Sequence, residues 1–268
     1  MRLKRSDAIL NATGISKHFK GLMALNDVSL DVQRRSITAL IGPNGAGKTT
    51  LFNILSGFIR PDHGSVTFEG LSLDRVPPHR RARVGLVRTF QIPRVFSRLT
   101  VLENMLIADP DQPGERFFGC FYLRGAMRRR EREERDEAME LLSLLNIDRV
   151  ANDYAGTLSG GQRKLVELGR VLMIRPTMIM LDEPMAGVNP ALGLRLLERV
   201  EYLRRERGLT FLFVEHDMEV VMRVSDRVAV LDEGRLIADG SARNIRTNER
   251  VIDAYLGRSK NSAAVVQR

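Results

Sequence analysis

The chemistry of this chain starts from one lysine and one threonine. Lys48 and Thr49 close the segment Gly42-Pro43-Asn44-Gly45-Ala46-Gly47-Lys48-Thr49, which meets every fixed position of G-x-x-x-x-G-K-[ST]. Gly45 and Gly47 let the backbone turn its amides inward, and the start of the following helix adds partial positive charge. Lys48 offers a point charge to the β- and γ-phosphates of a nucleotide, and the Thr49 hydroxyl is placed to ligate Mg²⁺. Two carboxylates come much later, where Met178-Ile179-Met180-Leu181 runs straight into Asp182 and Glu183. A buried strand ending in acids sets them at the sheet edge where ligands bind. There Asp182 fits a partner of Mg²⁺, directly or through water, and Glu183 fits a general base for an attacking water. Alone, such a run also describes a helix cap or a surface pair; downstream of a complete phosphate loop it reads as catalytic. His216, in Glu215-His216-Asp217, ends a second apolar strand, where a side chain can reach a γ-phosphate, and Gln91 follows Val87-Arg88-Thr89-Phe90. Leu158-Ser159-Gly160-Gly161-Gln162 has no role in a lone nucleotide pocket. A Ser hydroxyl, glycine amides and a helix N-terminus nevertheless form a second anion site, which acquires a role if it completes the pocket of another subunit.

These residues need elements to hold them. Ser36 to Ile41 predicts a short buried strand into the phosphate loop, and Thr50 to Leu55 an apolar-periodic helix out of it. Ile9 to Lys17, Val28 to Val32 and Ser65 to Phe68 predict strands around that unit. Thr100 to Ile147 reads as mostly helical, clearest from Arg124 to Leu145, whose charged first half pairs signs at i,i+4, including Glu131 with Arg135. After Ser159 a helix carries Leu165, Leu168, Val171 and Leu172 and ends before Pro176. Strand Met178 to Leu181, helix Ala191 to Arg207, strand Thr210 to Val214 and the strand pair Val228 to Leu231 and Arg235 to Asp239 follow. Such alternation predicts an α/β layered sheet.

Composition narrows the classes. The chain has 268 residues, enough for a sizeable core in one large domain or two small ones. No run approaches the ~18–20 apolar residues of a membrane span, and Arg2, Lys4 and Arg5 precede no long apolar segment of a secretory signal. A single cysteine, Cys120, suits a reducing cytoplasm. The net charge of +9 is spread along the chain without aromatic–basic repeats, so it reads as a general surface property and nucleic acid is not an expected partner.

Together these motifs resemble the nucleotide-binding subunit of an ATP-binding cassette (ABC) transporter, over roughly Ile9 to Gly240. The order of that family's motifs appears as Phe19, Gly42 to Thr49, Gln91, Leu158 to Gln162, Met178 to Asp182 with Glu183, Ala186 to Asn189, and His216. The resemblance implies a P-loop NTPase fold with a RecA-like core, an antiparallel β subdomain and an α-helical signature subdomain. The implied layout is one ABC ATPase domain over 9–256. It divides into a core with β subdomain at 9–95 and 177–240, a helical subdomain at 96–176, a C-terminal helical segment at 241–257 and a disordered tail at 258–268. It further implies that Phe19 stacks on adenine and that Gln91 senses Mg²⁺ and water while facing a membrane partner. Ser159 and Gly161, within Ser159-Gly160-Gly161-Gln162, would contact the γ-phosphate held by the other subunit. ATP and Mg²⁺ are the implied cofactors, with two ATPs buried in a head-to-tail dimer. The family's D-loop aspartate is replaced here by Asn189, which can hydrogen-bond across an interface but brings no charge.

Arg88-Thr89-Phe90-Gln91, Gly187-Val188-Asn189-Pro190, Leu99 to Asn104 and Val251 to Gly257 resemble the branched-chain amino-acid importer subgroup. The insertion Asp109 to Met127 resembles the longer of that system's two ATPase subunits. The implied partners are transmembrane permeases, a second and related ATPase and, indirectly, a periplasmic solute-binding protein, with the chain peripheral on the cytoplasmic face of a bacterial inner membrane. Related transporters carrying urea or amides, or exporting lipopolysaccharide, fit the same motifs, as does a soluble ABC ATPase acting on ribosomes or DNA. That last class usually carries two cassettes or a long coiled coil, and neither is present. No Asn-Lys-x-Asp guanine reader appears. Within the insertion, Phe117 to Tyr122 is the densest aromatic cluster, either a local core or a permease contact.

Overall fold

The computed structural model describes residues 7–89, 95–109 and 124–255. Gln91, the aromatic cluster Phe117 to Tyr122 and the tail expected at 258–268 lie outside the described residues.

The chain opens with a long hairpin, β1 (Ala8–Phe19) and β2 (Leu22–Gln33). Lys20 and Gly21 join them at φ of 44° and 91°, the two-residue turn whose twist matches paired antiparallel strands. Strand β3 (Ile37–Ile41) is buried throughout and runs through the phosphate loop into α1 (Lys48–Leu55). Next come β4 (His63–Phe68), β5 (Leu71–Ser72), α2 (Pro78–Arg83) and β6 (Leu86–Arg88). A helical stretch follows, made of α3 (Val101–Leu106), α4 (Arg124–Leu144) and α5 (Gly160–Met173). The chain then returns to alternation through β7 (Met178–Asp182), α6 (Pro190–Glu206), β8 (Thr210–Val214), α7 (Met218–Val224), β9 (Arg227–Asp232), β10 (Arg235–Gly240) and α8 (Ala242–Arg246).

Two sheets organise these elements. One is antiparallel, in the order β2-β1-β4-β5; the other runs β10-β9-β3-β8-β7-β6, parallel except for β10 at its edge. Side chains alternate across the second sheet with the period of two that a strand imposes. Ile37, Ala39, Ile179, Phe211 and Phe213 face a core shared with α3, α4 and α5. Leu40, Met178, Met180 and Leu212 face a second core made with α1 and the antiparallel sheet. Burial on both faces explains why these strands read as unbroken apolar runs.

The helix behind the phosphate loop is held at its far end by a buried arginine. Arg81 donates to the carbonyls of Ile54 and Leu55, at 2.9 and 2.7 Å, and also to those of Leu73 and Val76. Burial pushes its guanidinium down to about 10, while its positive charge meets the negative end of α1.

The helical tract expected from Thr100 to Ile147 is present as α3 and α4 within the described residues. Among the described residues α4 carries the i,i+4 ion pairs Arg129–Glu133 and Arg130–Glu134, at 2.9 and 3.0 Å, and the expected pairing of Glu131 with Arg135 is not formed. The expected strands are all present. Strand β2 begins six residues earlier than expected because it pairs with β1 through bulges that break the apolar alternation.

Candidate active site

Backbone geometry builds the phosphate loop. Gly42 sits at φ 150°, where an added Cβ would lie 2.0 Å from the carbonyl oxygen of Leu231. Gly47, the residue before α1, sits at φ 100° with the Ala24 carbonyl oxygen 2.6 Å from where a Cβ would be. The loop therefore rests directly on neighbouring backbone and admits no side chain at either point. The Lys48 ammonium donates to the carbonyls of Gly42 (2.7 Å) and Pro43 (3.0 Å), closing the loop on itself. The turn 232–234 supports it from below: Gly234 N–H donates to Ala46 O (3.1 Å) and Asn26 N–H to Gly234 O (2.8 Å).

A cavity of about 590 Å³ opens over this loop. Its lining includes Asn44 to Thr50 and, from the β1–β2 hairpin, Phe19, Leu22, Met23 and Ala24. Phe19 is 41% exposed, and the Lys17 ammonium lies 5.5 Å from its ring centre. A phosphate cradle sharing a cavity with an exposed aromatic and apolar residues suits a purine nucleotide, whose charge the cradle can meet and whose flat ring an aromatic can stack on. The first-turn amides of α1 have no intrahelical acceptor and complete the anion site.

Glu183 and His216 complete the rim. Strands β7 and β8 are parallel neighbours, with Asp182 paired to Val214, so residues just past their ends stand side by side. His216 Nε2 and Glu183 Oε1 are 2.7 Å apart, and both residues line the cavity. Glu183 has φ 47°, a left-handed conformation that a non-glycine residue keeps only when its surroundings impose it. Two residues not singled out from the sequence impose it. Lys164 of α5 donates to the carbonyls of Glu183, Pro184 and Ala186. Glu215, only 4% exposed, accepts from Met185 N–H at 2.8 Å. Burial pushes the Glu215 carboxyl above the usual range, against the pull of the Met185 and His216 amides. A buried acid directly after an apolar strand was the signal for Glu215; Lys164 gave none, since charged helix residues mostly face solvent.

The structure places Asp182 outside the cavity lining, in an ion pair with Arg88 at 2.6 Å. Arg88 also donates to Asn53 Oδ1 (2.6 Å) of α1 and to Ser56 Oγ (3.0 Å) at its C-cap, and lies over the Phe52 ring. Asp182 thus stands one residue from the rim, tied to the helix that carries Thr49. Among the described residues no cluster of three or more His, Cys, Asp or Glu could hold a metal unaided. Thr49 lines the cavity and Asp182 stands one residue from its rim; a hydroxyl and a carboxylate are hard-oxygen donors of the kind that Mg²⁺ would use where phosphates supply its remaining ligands.

The residues Ser159 to Gln162 do not line this cavity. They form the start of α5, where Ser159 Oγ accepts from Gln162 N–H (3.3 Å) and Gln162 Oε1 accepts from Ser159 N–H (3.0 Å), a reciprocal capping box. Ser159 and Gly160 are exposed; Gly161 is buried, with Leu192 of α6 2.1 Å from where its Cβ would be. Asn189 leads into α6, its carbonyl accepting from Leu192 and Gly193 N–H.

A strand–loop–helix phosphate cradle on a parallel sheet, with an acid and a histidine meeting at adjacent strand ends, defines a P-loop nucleoside-triphosphatase. The chain belongs to the ABC transporter family, as an ATP-hydrolysing cassette: residues 25–186 match the family model described as ABC transporter. Residues 235–260 match a second model, described as branched-chain amino acid ATP-binding cassette transporter. The chain is 42% identical over 252 residues to the high-affinity branched-chain amino acid transport ATP-binding protein BraF of Pseudomonas aeruginosa, covering 94% of this chain and 99% of that one. It is 39% identical over 252 residues to the corresponding protein LivG of Escherichia coli K12, with the same coverage. Among solved structures, the ADP conformation of an ATP-binding cassette of an ABC transporter is similar at a TM-score of 0.81 and 37% identity, covering 93% of this chain and 99% of that one. A nucleotide-free cassette from an ABC transporter is similar at a TM-score of 0.79 and 37% identity, covering 92% and 98%.

Proposed function

We propose that this cassette energises uptake of branched-chain amino acids through partner permeases, closing on ATP with a second cassette and opening when ATP is hydrolysed. The 2.7 Å approach of Glu183 to His216 beside the phosphate loop carries the hydrolytic part of this reading. Glu183 accepts a proton from the attacking water, and His216 orients Glu183 and meets the γ-phosphate. Lys48 and the α1 amides hold the phosphates, Phe19 stacks on adenine, and Thr49 with Asp182 would hold Mg²⁺, which would supply positive charge to offset that of the phosphates. Gln91, from its place in the family's motif order, is assigned to sensing that ion and the membrane partner. Ser159 and Gly161 approach the γ-phosphate held by the other cassette, which explains their distance from the chain's own cavity. The catalytic core is assigned to 9–95 and 177–240, the helical subdomain to 96–176 and a C-terminal segment to 241–257.

The solute assignment is supported by the C-terminal family model and by the named activities of the relatives. Among the described residues no helix is long and apolar enough to cross a membrane. The chain on this reading sits peripherally on the cytoplasmic face, held by its permeases and paired with a related ATPase.

The test is Glu183→Gln in the chain assembled with its permeases and binding protein in vesicles. ATP binding should persist while hydrolysis falls at least ~100-fold, the scale of losing a general base. Leucine uptake should fall with it. Full-rate turnover removes Glu183 from the mechanism, and ATP-driven uptake of urea in place of leucine removes the solute assignment.

A further inference from the structure

The loop that carries Glu183 is gripped from two sides, and one grip comes from the signature helix. Lys164 lies on α5, whose first turn follows Ser159. Its ammonium donates to three carbonyls of one loop: Glu183 at 3.0 Å, Pro184 at 3.0 Å and Ala186 at 2.7 Å. An ammonium is a compact donor of three hydrogens, matched to three acceptors that converge from different directions; a planar guanidinium is not. From the opposite side the buried Glu215 carboxylate takes Met185 N–H. Glu183 N–H is taken by Val214 O (3.0 Å), and Ala186 N–H by Glu183 O (3.1 Å). Every residue from 183 to 186 therefore has a main-chain polar atom tied down. This is what holds Glu183 at φ 47° with its carboxylate against His216. Burial costs the Lys164 ammonium part of its basicity, a cost opposed by the nearby charges of Glu215, Glu167 and Glu183.

We infer that Lys164 is a positioning residue that ties the loop bearing Glu183 to the signature helix, so that α5 and the general base move as one body. The consequence rests on the proposed roles of Ser159 and Glu183. Ser159 reads the nucleotide held by the partner cassette, whereas Glu183 acts on the nucleotide of its own chain. Lys164 then links the two ATPs of the dimer within a single chain: seating of α5 on one nucleotide sets the geometry at the other. The path is short and physical, running from helix N-terminus to ammonium to three carbonyls to the carboxylate.

The experiment compares Lys164→Met, which keeps an apolar stem without donors, with the unaltered full chain. Amide hydrogen exchange is followed in the peptide spanning 183–188, together with kcat and the Kd for a fluorescent ATP analogue. Exchange in that peptide should rise, kcat should fall about 10- to 100-fold, the scale of a small misplacement of a catalytic group, and Kd should stay within about twofold. Raised exchange reports the clamp whether or not Glu183 is the base, so failure of the clamp and failure of the proposed mechanism are separable. Unchanged exchange at 183–188 overturns the clamp, and raised exchange with unchanged kcat overturns its tie to Glu183. A Kd that rises in step with the fall in kcat also overturns it, since the residue would then serve nucleotide binding. If Lys164→Met does not fold, Lys164→Gln, which keeps a shorter two-hydrogen donor, should give intermediate values; values equal to the unaltered chain in both readouts overturn the proposal.

Discussion

Replacing Arg88 with Met tests whether the ion pair holds the Asp182 carboxylate in register with α1. The two side chains are 9% and 14% exposed and 2.6 Å apart, so the pair is largely but not wholly dehydrated. Removing one member of a buried pair costs about 3–5 kcal/mol, mostly because the other charge is left without a counterpart. Residual exposure of Asp182 puts the expected loss near the lower figure, about 3 kcal/mol. Methionine keeps apolar contact with the Phe52 ring, 5.3 Å from the guanidinium carbon, so lost packing adds little. At roughly 2–4 °C per kcal/mol for a chain of this size, Tm should fall by roughly 6–12 °C. The assay is a double-mutant cycle of Arg88→Met and Asp182→Asn by urea unfolding without nucleotide, since bound ligand would mask the difference. The double variant should be less destabilised than the sum of the singles, by about 1–3 kcal/mol. Additivity within ~0.5 kcal/mol would mean that the pair is energetically silent and that Asp182 is positioned by something else.

Gly47→Ala should lower affinity for a fluorescent ATP analogue by more than about tenfold, an estimate from the backbone strain of a side chain held at positive φ. The Cβ would lie 2.6 Å from Ala24 O and 2.8 Å from Leu25 Cδ2. Unchanged affinity would show that the loop tolerates a shift of α1. Asp62 has a sharper pH signature. Its hydrogen bond to Lys17, together with the His18 amide, brings its carboxyl from 3.8 down to about 2. A depressed folded pKa contributes stability above pH ~4 that is lost as pH falls towards 2. The Tm difference between the unaltered chain and Asp62→Asn should therefore shrink across that window and stay constant above it; a constant gap from pH 5 to 2 would exclude the pairing as its source.

The phosphate loop was legible because its chemistry is local: the five residues of β3 and the eight of the motif 42–49 carry their own spacing. Glu183 and His216 were legible as strand ends, and parallel pairing of β7 with β8 turned two separate positions into one pair. The apolar residues lining the cavity with Phe19 were not. Asp27 at φ 53° and the bulges along β1 and β2 break the alternation that would have marked Leu22 and Met23 as a continued strand. Arg88 and Lys164 were illegible as positioning groups for a different reason, and Glu215 was marked only by its place after an apolar strand. Charged residues default to solvent in any sequence reading, and what holds Arg88 and Lys164 in place are partners brought close only by the fold, as in the 94 positions from Arg88 to Asp182. Asp182 itself was read as a metal partner from its place after an apolar run, and its arginine counterpart came from the three-residue edge strand β6, too short to announce itself.

The place of β3 in the sheet sets a timetable. Its flanking strands, β8 and β9, come from near the other end of the chain, and Ile37 N–H meets the Asp226 carboxylate across 189 residues. A ribosome adding ~5–20 residues per second needs roughly 10–40 s to make that stretch. Between completing the motif at Thr49 and starting β8 at Thr210, the emerging chain contains every letter of the nucleotide motif but neither neighbour of β3 nor the Leu231 backbone on which Gly42 rests. A newborn chain is therefore surrounded by ATP without being able to grip it, and becomes an ATPase only once β8 and β9 have been made.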